Sequence, residues 1–201
     1  RKAQQVTVRE LLDEGTARVL AGGTLTPATR IELLGTLREL HTQLGLDARA
    51  EELALYDVLE SGKPISQARA EIGGAADLWD YAAALARTLH GDSANNLGPD
   101  TMAMIVREAI GVVSIITPWN FPFLIISQKL PYVLAAGCTA VIKPSEFTSS
   151  STAILCEILE EAGLPPGVVN LVPGVGDPVG KTMVEHADVD MISFTGSTAV
   201  G

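Results

Sequence analysis

The chain has 201 residues, 47% hydrophobic and 19% charged, which fits one large globular domain or two modest ones and excludes a disordered polypeptide. Lys plus Arg number 14 against 24 Asp plus Glu, giving a formal charge of −10 and a pI near 4.7, so a nucleic-acid or anionic-membrane partner is not expected. The longest apolar stretches, 109–116 and 132–142, fall short of the ~20 residues a membrane-spanning helix needs and read as buried elements of a soluble core.

Residue 1 is Arg, and the residues after it lack the basic-then-apolar layout of a signal peptide. The sequence therefore predicts no targeting segment and a natural start upstream of Arg1. Two cysteines, Cys138 and Cys156, are too few for a disulfide framework and lack metal-type spacing, so a reducing cytoplasm is the expected location. His41, His90 and His186 are scattered over helix or helix-end positions, and no metal site is expected.

To about Gly91 the pattern is helical. Thr26 followed by Pro27 opens a helix whose stripe is Ile31, Leu34, Leu37, Leu40 and Leu44, closed by Gly45. Asp47 opens a second that ends at Ser61-Gly62-Lys63-Pro64. Ser66 is predicted to cap a third, with Ile72, Ala75, Ala76, Trp79, Ala83 and Ala86 recurring at three- and four-residue steps. Residues 92–100 read as a loop and 101–110 as a short extended piece of the kind used in oligomerisation. The division is a helical segment over 1–100, that piece, and a nucleotide-binding unit over 111–201.

From Gly111 short apolar runs alternate with helical segments, the pattern of βαβ units and a parallel sheet. Strands are predicted at 111–117, 139–142, 168–172 and 189–194. Helices are predicted near 123–134, 149–162 and 177–186, with Gly163 closing the second and Asp177-Pro178 opening the third. The predicted fold class is therefore α/β, a helical layer followed by a doubly wound, Rossmann-like parallel sheet that is incomplete.

The polar and Gly-rich motifs all follow predicted strands, where open α/β sheets bind ligands. Lys143 and Glu146 flank a proline-stiffened turn and offer a cation and a carboxylate suited to ribose hydroxyls; two solvated surface charges are the alternative. Gly174, Gly176 and Gly180 are spaced one residue longer than the dinucleotide fingerprint, and tight turns also need glycine. Gly196-Ser197-Thr198 could present a hydroxyl and backbone amides to a phosphate, or Ser197 could be an ordinary helix cap. Asn120, between two prolines, could donate a hydrogen bond to an oxyanion or simply form a turn.

Taken in order, Pro118-Trp119-Asn120-Phe121-Pro122, the run from Ala135 to Glu146, the run from Gly163 to Gly174 and Ile192-Ser193-Phe194-Thr195-Gly196-Ser197-Thr198 resemble the aldehyde dehydrogenase superfamily. The similarity spans about 27–201, with Glu60-Ser61-Gly62-Lys63-Pro64-Ile65 a weaker match. The resemblance implies an NAD-dependent oxidation of an aldehyde to a carboxylic acid. It assigns Asn120 to the oxyanion hole, Lys143, Ser145 and Glu146 to the adenosine ribose region, and Ser197 to the pyrophosphate. Ile116, Thr117, Pro118 and Trp119 would line the cofactor cleft, with Gly174, Gly176, Gly180, Phe194, Gly196 and Val200 at its adenine end. Glu146 favours NAD over NADP by repelling a 2′-phosphate.

In that family a cysteine thiolate forms a thiohemiacetal and then a thioester, and a glutamate activates the hydrolytic water. The resemblance places both beyond Gly201, so these residues are expected to be an N-terminal portion, inactive alone, that is either a truncated product or a part of a longer polypeptide. Cys138 beside a buried strand and Cys156 in mid-helix read as packed thiols, and Glu157, Glu160 and Glu161 as an exposed helix face and end. Ala109 stands where the family often has proline, and Ala199 where it is often acidic. A homo-oligomer, dimer or tetramer, is implied. Two rivals stay open: a non-catalytic nucleotide-binding remnant, and a reductase of acyl phosphates or acyl thioesters.

Overall fold

The computed structural model describes residues 46–201. The helix predicted from Thr26 to Leu44, and His41 within it, lie outside the described residues. Helix α1, Leu46–Ser61, ends at Gly62, whose φ of 74° turns the chain while its amide bonds to Val58 O at 2.9 Å. Helix α2, Ile65–Thr88, buries Ile72, Ala75, Ala76 and Trp79 of the predicted stripe together with Ala68 and Ala82, while the predicted Ala83 and Ala86 are only half-buried. Ser66 does not cap it. Pro64 holds that place with φ −62°, and its carbonyl accepts from the Gln67 and Ala68 amides, so no side-chain cap forms.

The predicted loop 92–100 is corrected at its start. Strand β1, Asp92–Ala94, pairs antiparallel with β2, Ala103–Ile105, placing Ser93 opposite Met104. Asp-Ser-Ala carries no strand propensity of its own, and only the partner segment supplies the ladder.

Strands β3 (Val112–Ile116), β4 (Thr139–Lys143), β5 (Val169–Leu171) and β6 (Met191–Phe194) form one parallel sheet in the order β5-β4-β3-β6. This is the doubly wound arrangement the sequence predicts. Ile116 lies opposite both Lys143 and Phe194, so three strands end level with one another. The chain leaves β3 toward β4 on one side and later returns to β6 on the other. That reversal opens a crevice at the carboxyl ends of the strands.

The single helix predicted near 123–134 is two, α3 (Pro122–Ser127) and α4 (Leu130–Ala135). Pro131 lacks an amide proton and is tolerated only in a first turn, so the chain breaks at Lys129, φ −122° and ψ −60°. Helix α5, Ser150–Glu161, closes with paired bonds, Gly163 N to Glu160 O and Leu164 N to Leu159 O, around Gly163 at φ 85°. Its start is held from outside. The Glu60 carboxylate of α1 accepts from the Ser150 amide at 3.1 Å and from its hydroxyl at 2.5 Å. The third predicted helix begins as a wide π-type turn, Gly176–Gly180, and becomes regular only in α6, Lys181–Glu185. Asp177 is extended there, φ −115° and ψ 119°, and provides no cap.

Alternation along the strands divides the core. Val113, Ile115, Ala140 and Ile142 pack with Leu53, Trp79, Phe123, Ile126, Leu130 and Leu155 from the helices. Val112 and Val141 point the other way, packing with Val172, Val179 and Met183. Both faces of the central strands are thereby covered, as a parallel sheet requires.

Candidate functional site

A pocket of about 870 Å³ opens at the carboxyl ends of β3, β4 and β6, within the range of small-molecule and cofactor sites. After β3 it is lined by Ile116, Thr117, Pro118 and Trp119, and after β4 by Lys143, Ser145 and Glu146. Gly176 and Gly180 of the wide turn, with Phe194 at the end of β6 and Gly196, Ser197 and Val200 after it, close it. The ladders run on into these loops through Thr117 N to Lys143 O at 3.2 Å and Thr195 N to Ile116 O at 3.0 Å. The rim therefore inherits the register of the sheet.

Lys143 is not a solvated surface charge. Its side chain is 5% exposed, and its Nζ donates to Pro144 O at 3.0 Å and lies 3.8 Å from Glu146 Oε2. Burial pulls its pKa down, with Glu146 opposing that shift. A Cβ on Gly180 would sit 3.6 Å from Lys143 Cδ, so the wide turn lies against the lysine stem. The Ser145 hydroxyl accepts the Phe147 amide at 3.3 Å and fixes the turn carrying Glu146. At Gly196 a Cβ would come within 2.3 Å of the Phe194 ring, so this position takes only glycine unless the ring moves. Ser197 O accepts from the Val200 amide at 3.1 Å, and the chain turns there.

Two predicted residues lie elsewhere. Gly174, at φ 149°, does not line the pocket; a Cβ there would be 2.5 Å from Val179 Cγ2, so its small size admits that side chain rather than a ligand. Asn120 faces a separate cavity of about 100 Å³, shared with Ser61, Lys63, Gln67, Trp119 and Phe121. Trp119 borders both spaces. The sequence reading missed Phe147, Lys181, Val184, Glu185, Ile192, Thr195 and Gly201 in the large pocket. Signals were present: Lys181, Val184 and Glu185 are spaced as one helix face, and Ile192 shares a strand face with Phe194.

Neither cysteine lines either cavity. Cys138 is 4% exposed within the main core, and burial pushes the Cys156 thiol up to about 11. Among the described residues, no group of three or more His, Cys, Asp or Glu could hold a metal ion, and no helix is long and apolar enough to cross a membrane.

The model of the aldehyde dehydrogenase family matches residues 1–201. The chain belongs to the aldehyde dehydrogenase family. It is 42% identical over 177 residues to the NADP/NAD-dependent aldehyde dehydrogenase PuuC of Escherichia coli (strain K12), covering 88% of this chain and 34% of that protein. It is 45% identical over 156 residues to 2,5-dioxopentanoate dehydrogenase of Saccharolobus solfataricus, covering 78% and 33%. Among solved structures, an NAD-dependent aldehyde dehydrogenase from Sinorhizobium meliloti superposes with a TM-score of 0.87 at 48% identity, covering 96% of this chain and 38% of that one. A betaine aldehyde dehydrogenase from Staphylococcus aureus in complex with NAD+ gives 0.86 at 34% identity, covering 94% and 37%. The chain thus spans about a third of the length of the curated aldehyde dehydrogenases it matches.

Proposed function

We propose that this chain forms the dinucleotide-binding part of an NAD-dependent enzyme that oxidises an aldehyde to a carboxylic acid. The observation that carries this is the level rim of β3, β4 and β6, which encloses a pocket with the buried Lys143 ammonium in its wall. The NAD+ complex of the S. aureus relative and the NAD-dependent S. meliloti relative support the cofactor. Lys143, Ser145 and Glu146 would hold the adenosine ribose region and Ser197 the pyrophosphate, with Ile116 to Trp119 and Gly176, Gly180, Phe194, Gly196 and Val200 as walls. NAD, when bound, supplies the hydride acceptor. Glu146 disfavours a 2′-phosphate, so NADP is the weaker cofactor.

Across Trp119, Asn120 would donate a hydrogen bond from its carboxamide to the aldehyde oxygen as negative charge develops there. Cys138 is packed in the core, Cys156 is half-buried with its thiol pKa raised, and neither lines a cavity, so on this reading the nucleophile and the general base lie outside these 201 residues. A cytoplasmic location and assembly as a dimer or tetramer complete the proposal.

Calorimetric titration of the chain tests it. NAD is expected to bind one to one and NADP more weakly, with no NADH formed when an aldehyde is added. Absence of NAD binding defeats the dinucleotide reading. Turnover by the chain alone defeats the assignment of its nucleophile.

A further inference from the structure

Where α1 gives way to α2, a charged cluster is buried against the loop that carries Asn120. The Lys63 side chain is only 8% exposed and lies between Asp57, 0% exposed, and Glu71, 8% exposed. Lys63 Nζ donates to Asp57 Oδ2 at 3.3 Å and also to Glu71 Oε2, and Glu71 Oε1 accepts from Gln67 Nε2 at 2.7 Å. The same ammonium sits 5.1 Å from the centre of the Phe121 ring. Phe121 has φ 52° and ψ 49°, a left-handed conformation uncommon for a bulky side chain, so surrounding contacts must hold it. It precedes Pro122, at the start of α3, and follows Asn120. Lys63, Phe121 and Asn120 line the same cavity of about 100 Å³.

A surface lysine would be free to follow the ring. Here two carboxylates fix the ammonium, and the ammonium fixes the ring face. We infer that Lys63 is a positioning residue: clamped by Asp57 and Glu71, it holds the left-handed Phe121 and thereby orients the neighbouring Asn120 carboxamide. The inference rests on the oxyanion role proposed for Asn120, and it gives the α1–α2 junction a part in the site without contact with the reacting atoms.

The test reads the order of one side chain. The chain has four asparagines, Asn95, Asn96, Asn120 and Asn170, so 15N-asparagine labelling gives few side-chain amide pairs, and Asn120→Ser identifies the pair that matters. Lys63→Met is expected to lower the heteronuclear NOE of the Asn120 carboxamide and broaden it by exchange, leaving Asn170 unchanged. Lys63→Arg, which keeps a cation, is expected to restore a sharp pair. Lys63→Met leaves two buried carboxylates without a cation, which threatens folding. Lys63→Met/Glu71→Gln removes one charge of each sign and keeps the cluster's net charge, so it carries the same test.

An Asn120 amide as well ordered in these variants as in the parent chain overturns the inference. So does unfolding of both, which would make the cluster a stability element alone. NAD titration of the parent chain is independent: failure to bind overturns the dinucleotide reading whatever Asn120 does.

Discussion

At Lys143 two effects compete. Burial lowers its pKa and Glu146, 3.8 Å away, opposes the shift without cancelling it. An unfolded lysine titrates near ~10.4, so between the depressed folded value and that figure the unfolded chain holds more protons. Stability therefore rises with pH through that window, and the full penalty is present below it. Lys143→Met removes the penalty. At neutral pH this variant should keep or raise the apo melting temperature while NAD affinity falls about tenfold to a hundredfold, the value of one or two charge-assisted hydrogen bonds. Thermal unfolding and calorimetry read the two separately, and a variant losing stability as well as affinity would make Lys143 structural. Lys143 was legible in the sequence as a cation after a strand. Its burial was not, because that depends on Gly180 and the wide turn, 37 positions away in the chain.

Among the elements, β3 and β6 are tied at their amino ends by one carboxylate. Asp190 Oδ2 accepts the Val112 amide at 2.8 Å, and Gly111, at φ 126°, leaves room for it. A Cβ at Gly111 would lie 2.1 Å from that oxygen. Gly111→Ala forces both an unfavourable backbone angle and the loss of the bond, and should cost about 2 kcal/mol or more. Urea unfolding checks this, and an unchanged midpoint would show that the clamp carries no energy. All four sheet strands were readable from short apolar runs, and the central pair β3 and β4 most plainly, because a strand covered on both faces is apolar nearly throughout. The break between α3 and α4 was signalled only by Pro131. The π-type turn had no signal, since Asp177-Pro178 resembles an ordinary helix start. Glu60-Ser61-Gly62-Lys63-Pro64 looked like a weak motif in isolation. The fold separates three positions in it: Glu60 holds the start of α5, Gly62 makes the turn, and Lys63 lies over the Phe121 ring next to Asn120.

Over the described residues, apolar side chains remain exposed on and around β2 of the β1–β2 ribbon. Met102, Met104, Ile105, Val106 and Ile110 are each more than half exposed. Exposed apolar side chains gathered in one short segment are where association is expected. Sedimentation velocity of the chain should show concentration-dependent self-association, and Met104→Lys/Val106→Lys should shift it to a smaller species with NAD affinity unchanged. A distribution indifferent to the two lysines would sink that assignment. The ribbon was only half legible in the sequence, because three-residue strands carry too little pattern to announce a pairing.

The chain's two tryptophans stand in opposite environments. Trp79 is fully buried and donates to the Ser127 hydroxyl at 3.2 Å, whereas Trp119 is 55% exposed on the partition between the two cavities. The protein therefore contains two optical reporters with separable emission. The blue-shifted signal of Trp79 tracks the integrity of the core, and the red-shifted signal of Trp119 responds to occupancy on either side of the partition. Folding and ligand occupancy can be watched independently in one unlabelled sample.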